Sequence, residues 1–275
     1  MEIKVVALDL DGTLTNSKKE ISLRTKDALL KAMKQGVSVV LASGRPTMGI
    51  TPLAKELNMK EHGGYILAFN GGKIIDCKTD KVVYENVLPM DCIPTLCEVV
   101  KQFGVSMLTY RGNEIICEDD DNPYLLKECF INRTKAHIIE DLAKAVTTPV
   151  PKCLILGEHE ELLPVKECLE EKFKGKLNIF FSEPYFLEIM PLGIEKAASL
   201  DRLLHILKKD RSHLMACGDG LNDLTMLEYA GLGVAMENGC KEAKEIADVI
   251  TASNDEDGVA VAVEKYILDY EEEVG

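Results

Sequence analysis

Residues 3–13 read I-K-V-V-A-L-D-L-D-G-T. Apolar residues run from Val5 to Leu8, then two aspartates follow two positions apart, then Gly12 and Thr13. A short unbroken apolar run bounded by glycine predicts a strand buried on both faces of a parallel sheet. Alternate side chains of a strand share a face, so Asp9 and Asp11 are expected to converge at the strand's carboxyl end, where open α/β sheets bind ligands. Two carboxylates in apolar surroundings are costly unless paired, and a hard divalent cation with oxygen ligands would compensate them. A carboxylate is also ionised at neutral pH and can attack phosphorus without a helper base. The same residues also fit a polar strand end followed by an ordinary Asp-Gly turn.

Working outward, three further apolar strands each end in polar residues. Val37–Ala42 delivers Ser43-Gly44-Arg45-Pro46, Tyr65–Phe69 delivers Asn70-Gly71-Gly72, and Leu214–Cys217 delivers Gly218-Asp219-Gly220-Leu221-Asn222-Asp223. Between them lie helical patterns: 23–35 behind the N-cap Ser22 and before Gly36, 47–57, 196–207 and 224–230. Strand–helix–strand order with buried strands predicts a doubly wound, mostly parallel, Rossmann-like α/β sheet. Asn70-Gly71 between two apolar strands predicts a hairpin. Residues 15–20 are expected to form a small hairpin over the site. Strand signals at 233–235 and 249–251 and a helix over 259–268 complete this core.

From about residue 84 the organisation changes. Strand-like runs at 105–110, 114–118, 153–156 and 179–181, with helical patterns at 124–130 and 160–173, describe an inserted α/β unit with its own core. The chain is expected to return to the first unit at Leu187–Pro191. This divides it into a core of 1–83 and 191–275 and an insert of 84–190. Asp119–Asp121 reads as a solvated loop, and Tyr110, Arg111, Asn113 and His137 are the insert's polar candidates for substrate contact.

Four stretches in this order, D-L-D-G-T, A-S-G-R at 42–45, Lys196 in G-I-E-K, and G-D-G-L-N-D at 218–223, resemble the signatures of the haloacid dehalogenase-like hydrolases. The layout is similar to the Cof-like branch, whose cap lies between the second and third signatures. The resemblance implies a Mg2+-dependent phosphatase of small phosphate monoesters, sugar phosphates above all, working through an aspartyl-phosphate. It implies Asp9 as nucleophile and Asp11 as acid and base. Asp9, Asp11 (through its carbonyl) and Asp219 would hold the metal, with Asp223 a ligand or a partner behind the ligands. Ser43, Gly44 and Lys196 would bind the phosphoryl group, with Asn222, Arg45 and Asn70 near the substrate. The inserted cap would supply specificity. A phosphosugar mutase or phosphotransferase shares the nucleophile, and a sugar-phosphate sensor would keep the fold without turnover.

Composition narrows the partners. A formal charge of −14, with 46 acidic against 32 basic residues, argues against nucleic acid and anionic membrane surfaces. No segment resembles a signal peptide or approaches the ~20 apolar residues of a membrane span. Nine cysteines without a C-x-x-C pair read as buried thiols in a reducing cytoplasm, and the five histidines assemble no zinc motif. Oligomeric state is open, a monomer being compatible with all of this.

Overall fold

The computed structural model describes residues 2–119 and 121–268. The chain packs as two compact units, one of residues 1–44, 50–84 and 195–275, the other of 45–49 and 85–194.

The first unit is built on an eight-stranded sheet. Its strands are β1 (Val5–Leu8), β2 (Ser38–Ala42), β3 (Tyr65–Ala68), β4 (Lys73–Asp76) and β5 (Lys81–Glu85). Across the sheet stand three strands from the end of the chain. The other unit's strands are β6 (Ser106–Arg111), β7 (Glu114–Cys117), β8 (Ala136–Ile138), β9 (Cys153–Leu156), β10 (Leu177–Glu183) and β11 (Phe186–Pro191). The late strands are then β12 (Leu214–Gly218), β13 (Leu232–Ala235) and β14 (Val249–Ile250). The first sheet runs β14-β13-β12-β1-β2-β3-β4-β5, parallel from β14 to β3, with β4 antiparallel to β3 as the Asn70-Gly71 hairpin requires. Leu8 is in register with Leu41 on one side and Cys217 on the other. The residues that follow, Asp9, Ala42-Ser43 and Gly218-Asp219, therefore leave the sheet side by side.

Strand alternation sets which layer each side chain meets. Val5, Ala7, Val40, Ala42, Leu214 and Ala216 pack against Leu200, Leu203 and Leu204 of the helix Lys196–Leu207. On the opposite layer the helix Leu23–Lys34 packs against Gly258–Tyr266, pinned by Arg24 reaching both oxygens of Glu264 at 3.2 and 2.6 Å. Ser22 caps the first of these, its hydroxyl accepting from the Thr25 N–H at 3.1 Å.

The second unit carries a mixed sheet ordered β10-β11-β9-β6-β7-β8, antiparallel throughout except β7–β8. One face, with Met107, Ile116, Cys153, Ile155, Leu187 and Ile189, packs on the helices Cys92–Phe103 and His159–Lys172. Two expectations are corrected here. The sheet has six strands rather than four, because β8 is only three residues long and the buried run of β11 reads as belonging to the first unit. Leu187–Pro191 does not open the return to the first unit; it is β11, an inner strand paired with β10 and β9. The helix Cys92–Phe103 carries Pro94 in its first turn, where the missing N–H costs nothing, and escaped the sequence reading for that reason.

Of the Asp119–Asp121 loop, Asp120 lies outside the described residues; Asp119 accepts from Ser106 Oγ at 2.6 Å. All nine cysteines are free thiols. Among the described residues no helix is long and apolar enough to cross a membrane.

Candidate active site

Asp9 continues the face of β1 that carries Val5 and Ala7, and Lys196 continues the helix face of Leu200, Leu203 and Leu204 one turn back. The two layers that pack through leucines therefore meet, at their open end, through an ion pair. Lys196 Nζ lies 2.6 Å from Asp9 Oδ1 and 2.6 Å from Asp223 Oδ1. The lysine is 1% exposed and Asp223 0%. Such a pair persists in a low-dielectric site only when its geometry is good and its remaining atoms are bonded.

Asp223 meets that condition: its second oxygen accepts from the Asp219 and Gly220 N–H groups at 3.0 and 2.9 Å. A Cβ at Gly218 would fall 2.6 Å from Asp223 Cβ, so the strand end must be glycine for the carboxylate to fold back. Asp219 accepts from Thr13 Oγ at 2.7 Å. Gly12, at φ +89°, turns its bare Cα toward this carboxylate, and a Cβ there would sit 2.4 Å from Asp219 Oδ2. Oxygens of Asp9, Asp219 and Asp223 all lie within 4.8 Å of one another.

Three carboxylates thus face one ammonium. Burial pushes Asp9 up to about 7, the Asp223 charge adds to this, and Lys196 only partly opposes it. Asp219 is also raised, by burial first, with Thr13 opposing and Asp223 and Asp11 reinforcing. Burial alone would pull Lys196 down, but the two carboxylates outweigh it and hold the ammonium above its ordinary range. The centre is short of positive charge, and its donors are all hard oxygens. Both features fit a divalent cation of the Mg2+ type.

Asp11 does not share Asp9's burial. β1 ends at Leu8, and Asp11 sits on the turn beyond, half exposed, its Oδ1 accepting from Lys19 Nζ at 2.7 Å. Lys19 comes from the 15–20 turn, closed by Asn16 N–H to Glu20 O at 3.0 Å. The deeper of the two aspartates is Asp9, and burial is the first cause of its raised pKa.

Ser43 and Asn70 leave adjacent strands and are locked together. Ser43 N–H donates to Leu67 O and Asn70 N–H to Ser43 O, both at 2.9 Å. Phe69 and Asn70 both take left-handed conformations, φ 55° and 54°, which stores backbone strain at this turn. The Asn70 amide lies over Gly44, where a Cβ would come 3.1 Å from its Oδ1, and that buried oxygen has no hydrogen-bond partner among the described residues. Ser199 Oγ donates to Gly71 O at 2.7 Å, tying this turn to the Lys196 helix. Asn222 stays exposed, its Oδ1 above Gly220, and is not drawn in with the carboxylates. Arg45 packs with the second unit, its Nη1 3.5 Å from Gly49 O.

The sequence reading missed Gly12 and Thr13 as parts of the site. Their signal is present, since a threonine after Asp-Gly is a hydroxyl donor next to a turn, but the partner is 206 residues away. Of the insert's candidates, Tyr110 is buried and donates to Glu128 Oε1 at 2.6 Å, and Arg111 pairs with Glu114 at 3.1 Å. Asn113 and His137 are exposed.

A family model described as haloacid dehalogenase-like hydrolase matches residues 6–263. The chain belongs to this family. Among solved structures, a haloacid dehalogenase-like hydrolase from Bacteroides thetaiotaomicron is 50% identical with a TM-score of 0.94, covering 96% of this chain and 99% of that one. TM0651 from Thermotoga maritima is 28% identical with a TM-score of 0.87, covering 96% and 97%. The 5-amino-6-(5-phospho-D-ribitylamino)uracil phosphatase YcsE of Bacillus subtilis is 32% identical over 270 residues, covering 98% of this chain and 97% of that one. This haloacid dehalogenase-like hydrolase is of the Cof-like type, a mostly parallel core sheet with a second, mixed sheet as its cap domain. It is a phosphatase of small phosphate monoesters.

Proposed function

We propose that the chain is a Mg2+-dependent phosphatase of sugar phosphates or closely related phosphometabolites, working through an aspartyl-phosphate on Asp9. The observation that carries this reading is the convergence of Asp9, Asp219 and Asp223 within 4.8 Å, bridged by the buried Lys196. Asp9, the Asp11 carbonyl and Asp219 would hold the cation. Asp223, both of whose oxygens are already engaged by Lys196 and two N–H groups, braces the site from behind. When bound, Mg2+ supplies charge neutralisation between the carboxylates and the phosphoryl oxygens.

The protein's own groups carry the bond changes. An Asp9 oxygen bonds to phosphorus as the ester P–O bond breaks, and the leaving oxygen takes that electron pair together with a proton from the Asp11 carboxyl. Water then attacks the same phosphorus and gives a proton to Asp11. The P–O bond to Asp9 breaks, freeing phosphate and restoring both carboxyls to their starting states. Ser43, the Gly44 N–H and Lys196 donate to the phosphoryl oxygens as charge develops. The buried Asn70 Oδ1, without a partner among the described residues, supports a role for Asn70 at the same loop. Arg45 and Asn222 stand outside this set and are given supporting roles, Arg45 in bracing its loop. We assign catalysis to the first unit and specificity to the second, whose sheet includes Leu187–Pro191. The substrate class is supported by the ribityl phosphate in the name of the YcsE relative.

The test is phosphate release from a panel of sugar, polyol and nucleoside phosphates, with Mg2+ or EDTA, for wild type and Asp9→Asn. Magnesium-dependent release lost in the variant is the expected result. Release that persists in Asp9→Asn refutes the nucleophile, and isomerised phosphosugar in place of free phosphate refutes the hydrolase.

A further inference from the structure

The loop after β1 is tight. Leu14 N–H donates to Asp9 O at 3.1 Å, and Thr15 bonds Leu10 O through both its N–H and its hydroxyl at 2.9 Å. Asp11 stands on the outside of this loop, its backbone bridged to Thr15. Two side-chain amides from distant segments grip two of the loop's carbonyls. Asn238, beyond β13, donates Nδ2 to Gly12 O at 2.8 Å. Asn254, beyond β14, donates Nδ2 to Thr15 O at 2.9 Å. The two are joined, since the Asn254 N–H donates to Asn238 Oδ1 at 2.9 Å. Next to them Asp255 Oδ1 accepts from Ser17 N–H at 2.8 Å, fixing the start of the turn that returns Lys19 to Asp11.

Thr15 is buried and its carbonyl needs a donor, but that need alone does not explain two primary amides linked to each other. What the amides add is direction. The Asn254 N–H on Asn238 Oδ1 fixes the rotation of that amide and so aims its Nδ2 at Gly12 O, which orients the Gly12–Thr13 peptide. That peptide carries the left-handed Gly12 pressed on Asp219 and the Thr13 hydroxyl bonded to it. Thr15, gripped by the second amide, is the backbone partner of Asp11.

We propose that Asn238 and Asn254 are positioning residues for proton transfer, acting through the Gly12–Thr15 loop on the Asp11 carboxyl. The proposal rests on the reading of Asp11 as acid and base. Misplacing a proton donor harms esters whose leaving alkoxide needs the proton and spares those whose leaving phenolate is already stable.

The experiment measures kcat/KM for glycerol phosphate and p-nitrophenyl phosphate in wild type, Asn238→Ala, Asn254→Ala, Asn238→Asp and Asp11→Asn. Asn238→Asp keeps the size and the acceptor for Asn254 but loses the donor to Gly12, so it removes the clasp without truncating the side chain. In the asparagine variants the alkyl ester is expected to lose about 30- to 100-fold and the nitrophenyl ester less than about threefold. Equal losses on both esters, or none on either, overturn the clasp if Asp11→Asn itself shows the split. An Asp11→Asn variant without the split overturns the acid–base reading and the clasp together.

Discussion

Replacing Lys196 with methionine tests the electrostatic core of the site. Methionine keeps an unbranched stem along Leu200 and removes only the ammonium, leaving Asp9 and Asp223 buried without their shared partner at 2.6 Å. Breaking a buried pair from one side costs about 3–5 kcal/mol. At about 2–4 °C per kcal/mol for a unit of this size, the metal-free protein should melt about 6–20 °C lower. The loss must depend on pH. Asp9 already sits near 7 with Lys196 present, and removing the cation pushes it higher still. At about pH 5.5 Asp9 takes up a proton and one buried charge disappears, whereas at about pH 8 wild-type Asp9 is ionised and the variant bears the full penalty. Calorimetry in EDTA at both pH values is the assay, with phosphate release in Mg2+ alongside. kcat/KM should fall about 10²- to 10³-fold, as for loss of one donor to developing charge. A melting shift below about 2 °C at pH 8, or equal shifts at the two pH values, would refute the coupling of lysine and carboxylates.

Further expectations follow from neighbouring groups. Asp9's folded pKa is raised from 3.8 to about 7, so its contribution to metal-free stability is present at low pH and is lost as pH rises through 7. The thermal gain on adding Mg2+ should therefore be larger at about pH 8 than at about pH 6, and equal gains would show that the cation binds elsewhere. Gly12→Ala puts a Cβ 2.4 Å from Asp219 Oδ2 at φ +89°. It should cost about 1–3 kcal/mol and weaken Mg2+ binding by calorimetry, and unchanged binding would separate Gly12 from the metal site. Asp219→Asn should weaken Mg2+ more than Asp223→Asn, whose oxygens serve Lys196 and two N–H groups; the reverse order would make Asp223 the ligand. In the second unit, Tyr110→Phe removes a donor from buried Glu128, leaving it Asn132 Nδ2 at 2.7 Å. It should lower stability by about 1–3 kcal/mol while p-nitrophenyl phosphate hydrolysis stays at the wild-type level.

What the sequence disclosed and what it withheld divide along the range of the interactions. Ser22 is readable as a cap because its partner is Thr25, three residues on, and the parallel core is readable because burial on both faces leaves unbroken apolar runs such as Val5–Leu8. β11 shows how the same signal misleads. Phe186–Pro191 is buried on both faces like a core strand, but its burial comes from β9, β10 and the insert's helices, so an apolar run identifies a strand without saying which sheet owns it. Lys196 is the sharper case. A lysine in the first turn of a helix is by default solvated, and its own neighbours say nothing else; its burial is dictated by Asp9, 187 residues away, and Asp223, 27 away. The local pattern does contain half of the answer, since Lys196 falls on the face of Leu200, Leu203 and Leu204, which is the face that must pack on the sheet. A charged residue on that stripe has two physical outcomes, solvation beyond the end of the sheet or a buried counter-charge. Asp9 falls in the same face series as Val5 and Ala7, so the counter-charge was written into the strand as well. Phase along both elements therefore predicts the ion pair, where spacing within either one does not.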